Sequence, residues 1–587
     1  MPFASLSFAV FLAAVVTAYY LAPRRFRWIV LLCASLAFYW LGGGWTVVYL
    51  AATVLTTWLA GLALGRANGR LKSADEAARA RLKRRKKAVV AVTLVFNFGM
   101  LFVLKYWDVT AEQAARLFGG EVLRLGLLLP LGVSFYIFQT VGYVIDCYRG
   151  KVKPEPNPAK FALFASFFPQ MIQGPISRWA DLSPQLLSGG VFSADNLKYG
   201  LQLMLWGYLK KLVISDRAGV LVDSVFSDYA SHGGAMLALA VGFYCIQLYC
   251  DFSGGIDIAR GAARLLGIDL KENFRRPLFA RSLSEYWRRW HITLGQWMRD
   301  YVFYPIALSK PFGALGKRCR KRFGNAVGKI LPASMATFLV YLLIGLWHGA
   351  NFRYILYGFY NGAIITLSLL LENRFYAAKQ KLGIRDEAPL WRLFQTLRTG
   401  LIVFVGRYIT RAPRFLAALW MLSRLFVNPD FGALTDEVGG EDRFELLLVE
   451  FGQGGRPAAV VELLEIQLGL AQVPVPLVAL GQASHALAAA LEGLDDLFAI
   501  LAQPQGNLGA SKVAGLGVEI LVEQLACLPA GLAAFLQQGM GLQGGQGFAA
   551  GAQFDFGFFI HCEGSVKRRR RGVARYEALP RTSGRTG

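Results

Sequence analysis

Long apolar stretches, broken by short basic or glycine-rich turns, set the pattern of the first 426 residues. A bilayer core about 30 Å thick needs about 20 apolar residues of helix. Residues 3–22 supply such a stretch without a charge. The stretch has no basic start and no clear small-residue cleavage site, so it reads as a retained helix and not a signal peptide. Residues 28–41 and 45–64 are two more stretches, joined by Gly42, Gly43 and Gly44. Residues 88–107 and 123–145 follow, the second interrupted by Pro130 and Gly132. Later spans are expected at 235–252, 330–348 and 352–371, with weaker signals at 401–409, which holds Arg407, and at 415–427. Residues 161–172 are apolar but too short to cross, and Pro169 breaks them. They predict a re-entrant or in-plane segment, tolerated only where protein or water satisfies the backbone. The expected fold class is all-α and polytopic.

Charge orients these spans. Positive residues collect on the cytoplasmic side. Arg24, Arg25 and Arg27, the run from 66 to 87, and Arg149, Lys151 and Lys153 are all expected there. That places the N-terminus outside and makes 330–348 run outward, with His348 at its outer end. Residues 260–299 are basic and rich in aromatics, and predict a cytoplasmic or interfacial helix layer.

Composition narrows the class. Hydrophobic residues are 55% and charged residues 17%, against about 45–50% and 25% in soluble domains. An ordinary soluble enzyme and a disordered chain are both excluded. The net charge of +25 fits basic cytoplasmic loops in a lipid bilayer. No nucleic-acid partner is expected, because such long apolar stretches leave no soluble scaffold. The seven cysteines have no paired spacing, so neither a disulfide framework nor a metal site is indicated.

The tail differs from the body. Residues 1–426 carry 52 basic and 21 acidic side chains, and residues 427–564 carry three and 16. Residues 565–587 swing back, with a basic cluster at 567–571. The chain therefore divides into a membrane domain, 1–426, and an atypical tail, 427–587. A soluble cytoplasmic appendage and a shifted reading frame are both open readings of the tail.

Five histidines are present, of which His485 and His561 fall in the tail and His232 in a loop. His348 stands in Gly345-Leu346-Trp347-His348-Gly349 and ends an apolar helix. Ionisable groups in such places are functional candidates by default, and imidazole suits a general base near neutral pH. A histidine bonded to a neighbouring helix is the alternative. His291 stands among Arg275, Arg276, Arg281, Arg288, Arg289 and Arg299, with Trp287, Trp290 and Trp297. Arg288 and Arg289 are candidate contacts for a phosphate-bearing donor. A snorkelling interfacial helix anchored by Trp and Arg explains the same residues. Asp251 and Asp257 suit an ion site or ion pairs with nearby cations. No GxSxG, Walker, HExxH or Rossmann glycine pattern occurs, which counts against a serine hydrolase, an ATP-driven pump and a zinc protease.

Several stretches then stand out together. They are 129–136 (LPLGVSFY), 167–176 (FFPQMIQGPI), 249–257 (YCDFSGGID), 272–277 (ENFRRP), 286–291 (YWRRWH) and 345–350 (GLWHGA). In this order they resemble the membrane-bound O-acyltransferase family, in its bacterial branch. The resemblance covers about residues 1–426 and implies a ring of membrane helices around a thinned centre. It places the catalytic histidine at His348 and a second site residue at His291. It implies an O-acyltransferase of the bacterial cytoplasmic membrane with no tightly bound cofactor. The donor would be acetyl-CoA or an acylated carrier protein, and the acceptor a polysaccharide or teichoic acid hydroxyl. An extracytoplasmic hydrolase-like relay protein is an implied partner. The rival reading is a transporter of an acyl carrier or polymer without acyl-transfer chemistry, since broken helices also suit transporters. Nothing after Val427 resembles the family.

Overall fold

A computed structural model describes residues 2–118, 124–349 and 351–431. Residues 432–587, nearly all of the tail and with it His485 and His561, lie outside the described residues. Nineteen helices are described: α1 Leu6–Leu21, α2 Arg27–Gly43, α3 Val47–Arg70, α4 Glu76–Phe118, α5 Val133–Arg149, α6 Pro158–Ser166, α7 Phe168–Met171, α8 Trp179–Ser188, α9 Ala194–Tyr208, α10 Asp216–Ser227, α11 Gly234–Leu265, α12 Leu283–Arg289, α13 Ile292–Met298, α14 Tyr304–Ala307, α15 Lys310–His348, α16 Phe352–Leu370, α17 Glu372–Lys381, α18 Pro389–Arg411 and α19 Phe415–Val427. Among the described residues no strand forms beyond one isolated bridge, Phe274 to Trp290. The fold is that of an all-α polytopic membrane protein.

Among the described residues, four stretches are long and apolar enough to cross a bilayer: Arg24–Arg70, Glu76–Arg116, Gly234–Leu265 and Ile330–His348. A fifth is the pair α16 and α17, bent by 58° at their junction. The basic run at 66–87 is not the open loop that charge alone suggests. It continues α3 and begins α4, so only a tight turn near Ser73 separates two helices. A cysteine at exposed Ser73, in a variant lacking exposed Cys33, is expected to resist an impermeant thiol reagent in intact cells. Labelling before lysis would reverse the orientation.

The predicted span at 123–145 is shorter than expected. Helix α5 starts only at Val133, because Pro130 and Gly132 act as a break. Gly132 takes φ +64, and a Cβ there would collide with the Met171 carbonyl oxygen. Glycine alone fits a left-handed position under such backbone contact. This contact seats α5 on the short α6–α7 pair. Phe161, Phe164, Phe167 and Phe168 on that pair are fully buried, so protein side chains surround this segment, which is too short to cross.

Helix α11 extends past the predicted 235–252 and carries Asp251, Asp257, Arg260 and Arg264 within it. The basic layer therefore begins after α11 and not at Arg260. Residues Leu209–Ser215 form a π-helical turn after α9. On it, Lys210 bonds Asp257 and donates to Ser253 Oγ at 3.0 Å. Lys211 pairs with Asp216 and Asp251, both at 2.7 Å. Both α11 aspartates are thus ion-paired, and no group of residues suited to a metal occurs among the described residues.

Helix α15 is two helices joined at Gly324, which takes φ +83. The second half carries His348 and packs closely on α16. A Cβ on Gly345 would meet the Gly358 Cα at 3.1 Å, so the two backbones touch through small residues, a common way for membrane helices to associate.

Candidate active site

Two short segments on either side of α12 cross to build the site. Residues 273–276 run antiparallel to 289–292, with Arg275 N–H donating to the Arg289 carbonyl at 2.9 Å and Ile292 N–H to the Asn273 carbonyl at 3.0 Å. Left-handed backbone at Arg276 (φ +46) and His291 (φ +47) marks both segments. Such conformations in non-glycine residues cost about 1–3 kcal/mol each and cluster at functional sites. The turn at His291 opens α13 and sends the imidazole inward, where only 3% of the residue remains exposed.

His291 lines a cavity of about 620 Å³. Trp287, Trp290, Tyr341 and Ile344 give it apolar walls. Trp287 is fixed by its indole N–H, which donates to Asn361 Oδ1 on α16 at 3.1 Å. Behind Trp290 lies buried Arg407, whose guanidinium carbon is 5.4 Å from that ring and whose Nη2 donates to Tyr286 Oη at 2.8 Å. Lys271, Arg275, Arg288 and Arg299 also line the cavity. Three of these are matched by carboxylates: Lys271 by Asp181, Arg275 by Glu272 and Arg299 by Asp300. Arg288 has no carboxylate partner among the described residues. Arg289, its neighbour, is not among the lining residues. Its Nη2 pairs with Glu285 at 2.6 Å and its Nη1 reaches the Arg276 carbonyl at 3.3 Å. Of the two arginines expected to meet a donor, the structure brings Arg288 to the cavity and engages Arg289 in holding the crossed segments.

The His291 ring is held by Asn273, whose Oδ1 lies 3.3 Å from Nδ1. The same oxygen accepts from Thr293 N–H at 2.9 Å and Thr293 Oγ1 at 3.0 Å. Burial pushes the His291 imidazole down to about 3, with His348 adding to the effect. Desolvation disfavours the charged ring, so His291 is neutral at neutral pH.

His348 does not line this cavity, and it is exposed. Trp347 touches both histidines, with ring centroids 6.1 Å from His291 and 4.8 Å from His348. Tyr354 also stacks on the His348 ring, with centroids 6.1 Å apart. The end of α15 is secured from α4. Tyr106 Oη donates to the Leu346 and Trp347 carbonyls at 2.8 and 3.0 Å, and Lys105 Nζ also bonds the Trp347 carbonyl. The last carbonyls of a helix lack partners within it and form the negative end of its dipole, so an ammonium and a phenol fit there. Sequence reading named His291, His348 and Arg288. It gave no role to Asn273, Thr293, Trp347, Lys105 or Tyr106, although most of these stand inside or beside the quoted stretches.

Residues 151–318 match the family described as MBOAT, membrane-bound O-acyltransferase. The probable alginate O-acetylase AlgI of Pseudomonas syringae pv. tomato is 32% identical over 420 residues, 70% of this chain and 72% of the relative. The chain belongs to the membrane-bound O-acyltransferase family. A peptidoglycan O-acetyltransferase of Helicobacter pylori is 29% identical over 48% of this chain and 55% of its own. A teichoic acid D-alanyltransferase of Bacillus subtilis is 28% identical over 41% and 59%. This membrane-bound O-acyltransferase is accordingly a multi-pass membrane enzyme that moves an acyl group from a donor to an acceptor. The reading as a transporter without chemistry is set aside by the family.

Proposed function

We propose that this enzyme transfers an acetyl group from a cytoplasmic thioester, through the cavity beside His291, to a hydroxyl presented near His348. The acceptor is a hydroxyl of a cell-surface polysaccharide, or of an extracytoplasmic relay protein that passes the group on. The supporting observation is the arrangement about Trp347. On one side lies a cavity with a neutral His291 and with Arg288, which has no carboxylate partner among the described residues, and on the other an exposed His348. The names of the relatives favour acetyl over D-alanyl, since those that cover most of this chain are O-acetylases.

In this reading His348 takes the proton of the attacking hydroxyl, whose oxygen forms the new C–O bond with the thioester carbon. The C–S bond then breaks and the thiolate takes up a proton, so that atoms and charge balance. Arg288 holds a phosphate of the donor arm, where a guanidinium makes two parallel hydrogen bonds.

The test is transfer by purified enzyme in vesicles. Radiolabelled acetyl thioester, on coenzyme A or on a carrier protein, is supplied at the face carrying residues 66–87, and label is sought on a polysaccharide or relay protein at the opposite face. Label crossing to the acceptor as an ester supports the proposal. Label that crosses still attached to its carrier would overturn it. With the donor that is used, Arg288→Ala is expected to raise the donor KM about tenfold, since hydrogen bonds to charged groups contribute about 1.5–3 kcal/mol. Arg288→Lys should recover only part of this, because the fork is lost. An unchanged donor saturation curve would return Arg288 to a snorkelling role.

A further inference from the structure

The hydrogen bonds around Asn273 determine which nitrogen of His291 carries the proton. Asn273 is 1% exposed and His291 is 3% exposed, so solvent does not blur the assignment. A backbone N–H can only donate. The Asn273 side-chain atom that meets Thr293 N–H at 2.9 Å is therefore the oxygen. Thr293 Oγ1 donates to the same oxygen, and its own lone pair accepts from Ile176 N–H at 3.0 Å. Three segments, around residues 176, 273 and 293, thus hold the amide one way round. The His291 atom facing that oxygen is Nδ1, at 3.3 Å. An acceptor opposite Nδ1 requires a proton there. In a neutral ring the other nitrogen then carries only a lone pair. That nitrogen, Nε2, is buried and has no protein partner among the described residues, and the residue lines the cavity.

We propose that Asn273 is a positioning residue that fixes the His291 proton on Nδ1, so that Nε2 meets the bound substrate as a hydrogen-bond acceptor. His291 then receives an N–H or O–H from substrate and does not donate to the oxyanion. This rests on the acyl-transfer reading only for its consequence in catalysis. The tautomer itself stands apart from it.

Two readouts separate the layers. The first is 15N NMR of histidine-labelled enzyme in nanodiscs, without donor, with the His291 signal assigned by its loss in His291→Gln. The expected result is a protonated Nδ1 and an unprotonated Nε2 in the wild type, and a mixture or reversal in Asn273→Ala. A wild-type proton on Nε2 overturns the proposal outright, whatever the enzyme acylates. The second is kinetic. Asn273→Ala is expected to lower kcat at least tenfold with little change in donor KM. Asn273→Asp keeps an acceptor for both Thr293 N–H and Nδ1–H and should restore much of kcat. Its carboxylate also favours the imidazolium, so the acidic limb of the kcat profile should move to higher pH. Among the described residues, the other charged or titratable groups around this ring are His348 on α15 and Lys271, Glu272, Arg275, Arg288, Arg299 and Tyr341 at the cavity. None of them changes in that variant. Equal loss in Ala and Asp with an unmoved acidic limb would mark Asn273 as merely structural and overturn the positioning role. Should Asn273→Ala not fold, Thr293→Val provides the same test by removing one of the two donors that orient the amide. If NMR shows the stated tautomer but the wild-type enzyme transfers no acyl group from any donor, the functional reading fails and the tautomer assignment survives.

Discussion

Replacing His348 with glutamine is expected to lower acyl transfer by about 10²–10⁴-fold, the usual contribution of a positioned general base. The variant protein should remain in the membrane at normal abundance. His348 is exposed at the end of α15, and among the described residues no hydrogen bond from its ring holds the helix in place. That task falls to Tyr106 and Lys105, which bond the carbonyls of Leu346 and Trp347. Glutamine can keep a hydrogen bond but cannot take a proton at neutral pH. The two roles therefore separate cleanly in an assay of ester formed per milligram of membrane protein. A glutamine variant retaining substantial activity would end the general-base role. A sharp fall in abundance, with activity per molecule intact, would make the histidine structural.

Lys210→Met is expected to be among the most destabilising single changes in the membrane body. Lys210 is 5% exposed and pairs with Asp257 on α11. Removing one partner of a buried ion pair strands the other, at a cost of about 3–5 kcal/mol. Arg260 Nη1, 3.6 Å from Asp257 Oδ1, offsets part of this and should bring the loss toward the lower figure. The double variant Lys210→Met with Asp257→Asn leaves no buried charge and is expected to recover most of the stability. Thermal unfolding followed by fluorescence-detected gel filtration reads both. A single variant as stable as wild type would show that the pair is solvated. A double variant no better than the single one would show that the loss comes from packing in the π-helical turn.

Spans and candidate histidines were legible because each leaves a local mark. A run such as 330–348 is apolar from end to end, and a histidine closing it is conspicuous. Pro130 and Gly132 were equally visible, yet the predicted span ran through them. Their meaning depends on Met171, whose carbonyl leaves no room for a side chain at residue 132. Arg288 and Arg289 look interchangeable in sequence. Successive helix residues point about 100° apart, so one can face a cavity and the other a neighbour. The i,i+4 spacing of Glu285 and Arg289 was an available signal that Arg289 is engaged within its own helix. Asn273 carried no such signal. Its contacts are with residues 18 and 20 positions away, and they exist only because two non-helical segments cross.

The glycine contact between α15 and α16 has a mechanical consequence. Gly345 and Gly358 bring two main chains together with no side chain to act as a cushion, so these helices tilt as one plank. A bilayer that thins or thickens carries His348 and Tyr354 together and leaves their stacking unchanged. Helices α12 and α13, seven residues each and joined at the left-handed His291, lie outside this glycine contact. On the proposed roles, strain is then expected beside the donor cavity, while the helix pair that meets the acceptor moves as one body. In lipids of graded chain length, donor KM should therefore drift while the dependence on acceptor concentration stays flat. A drift confined to the acceptor would show that the plank bends.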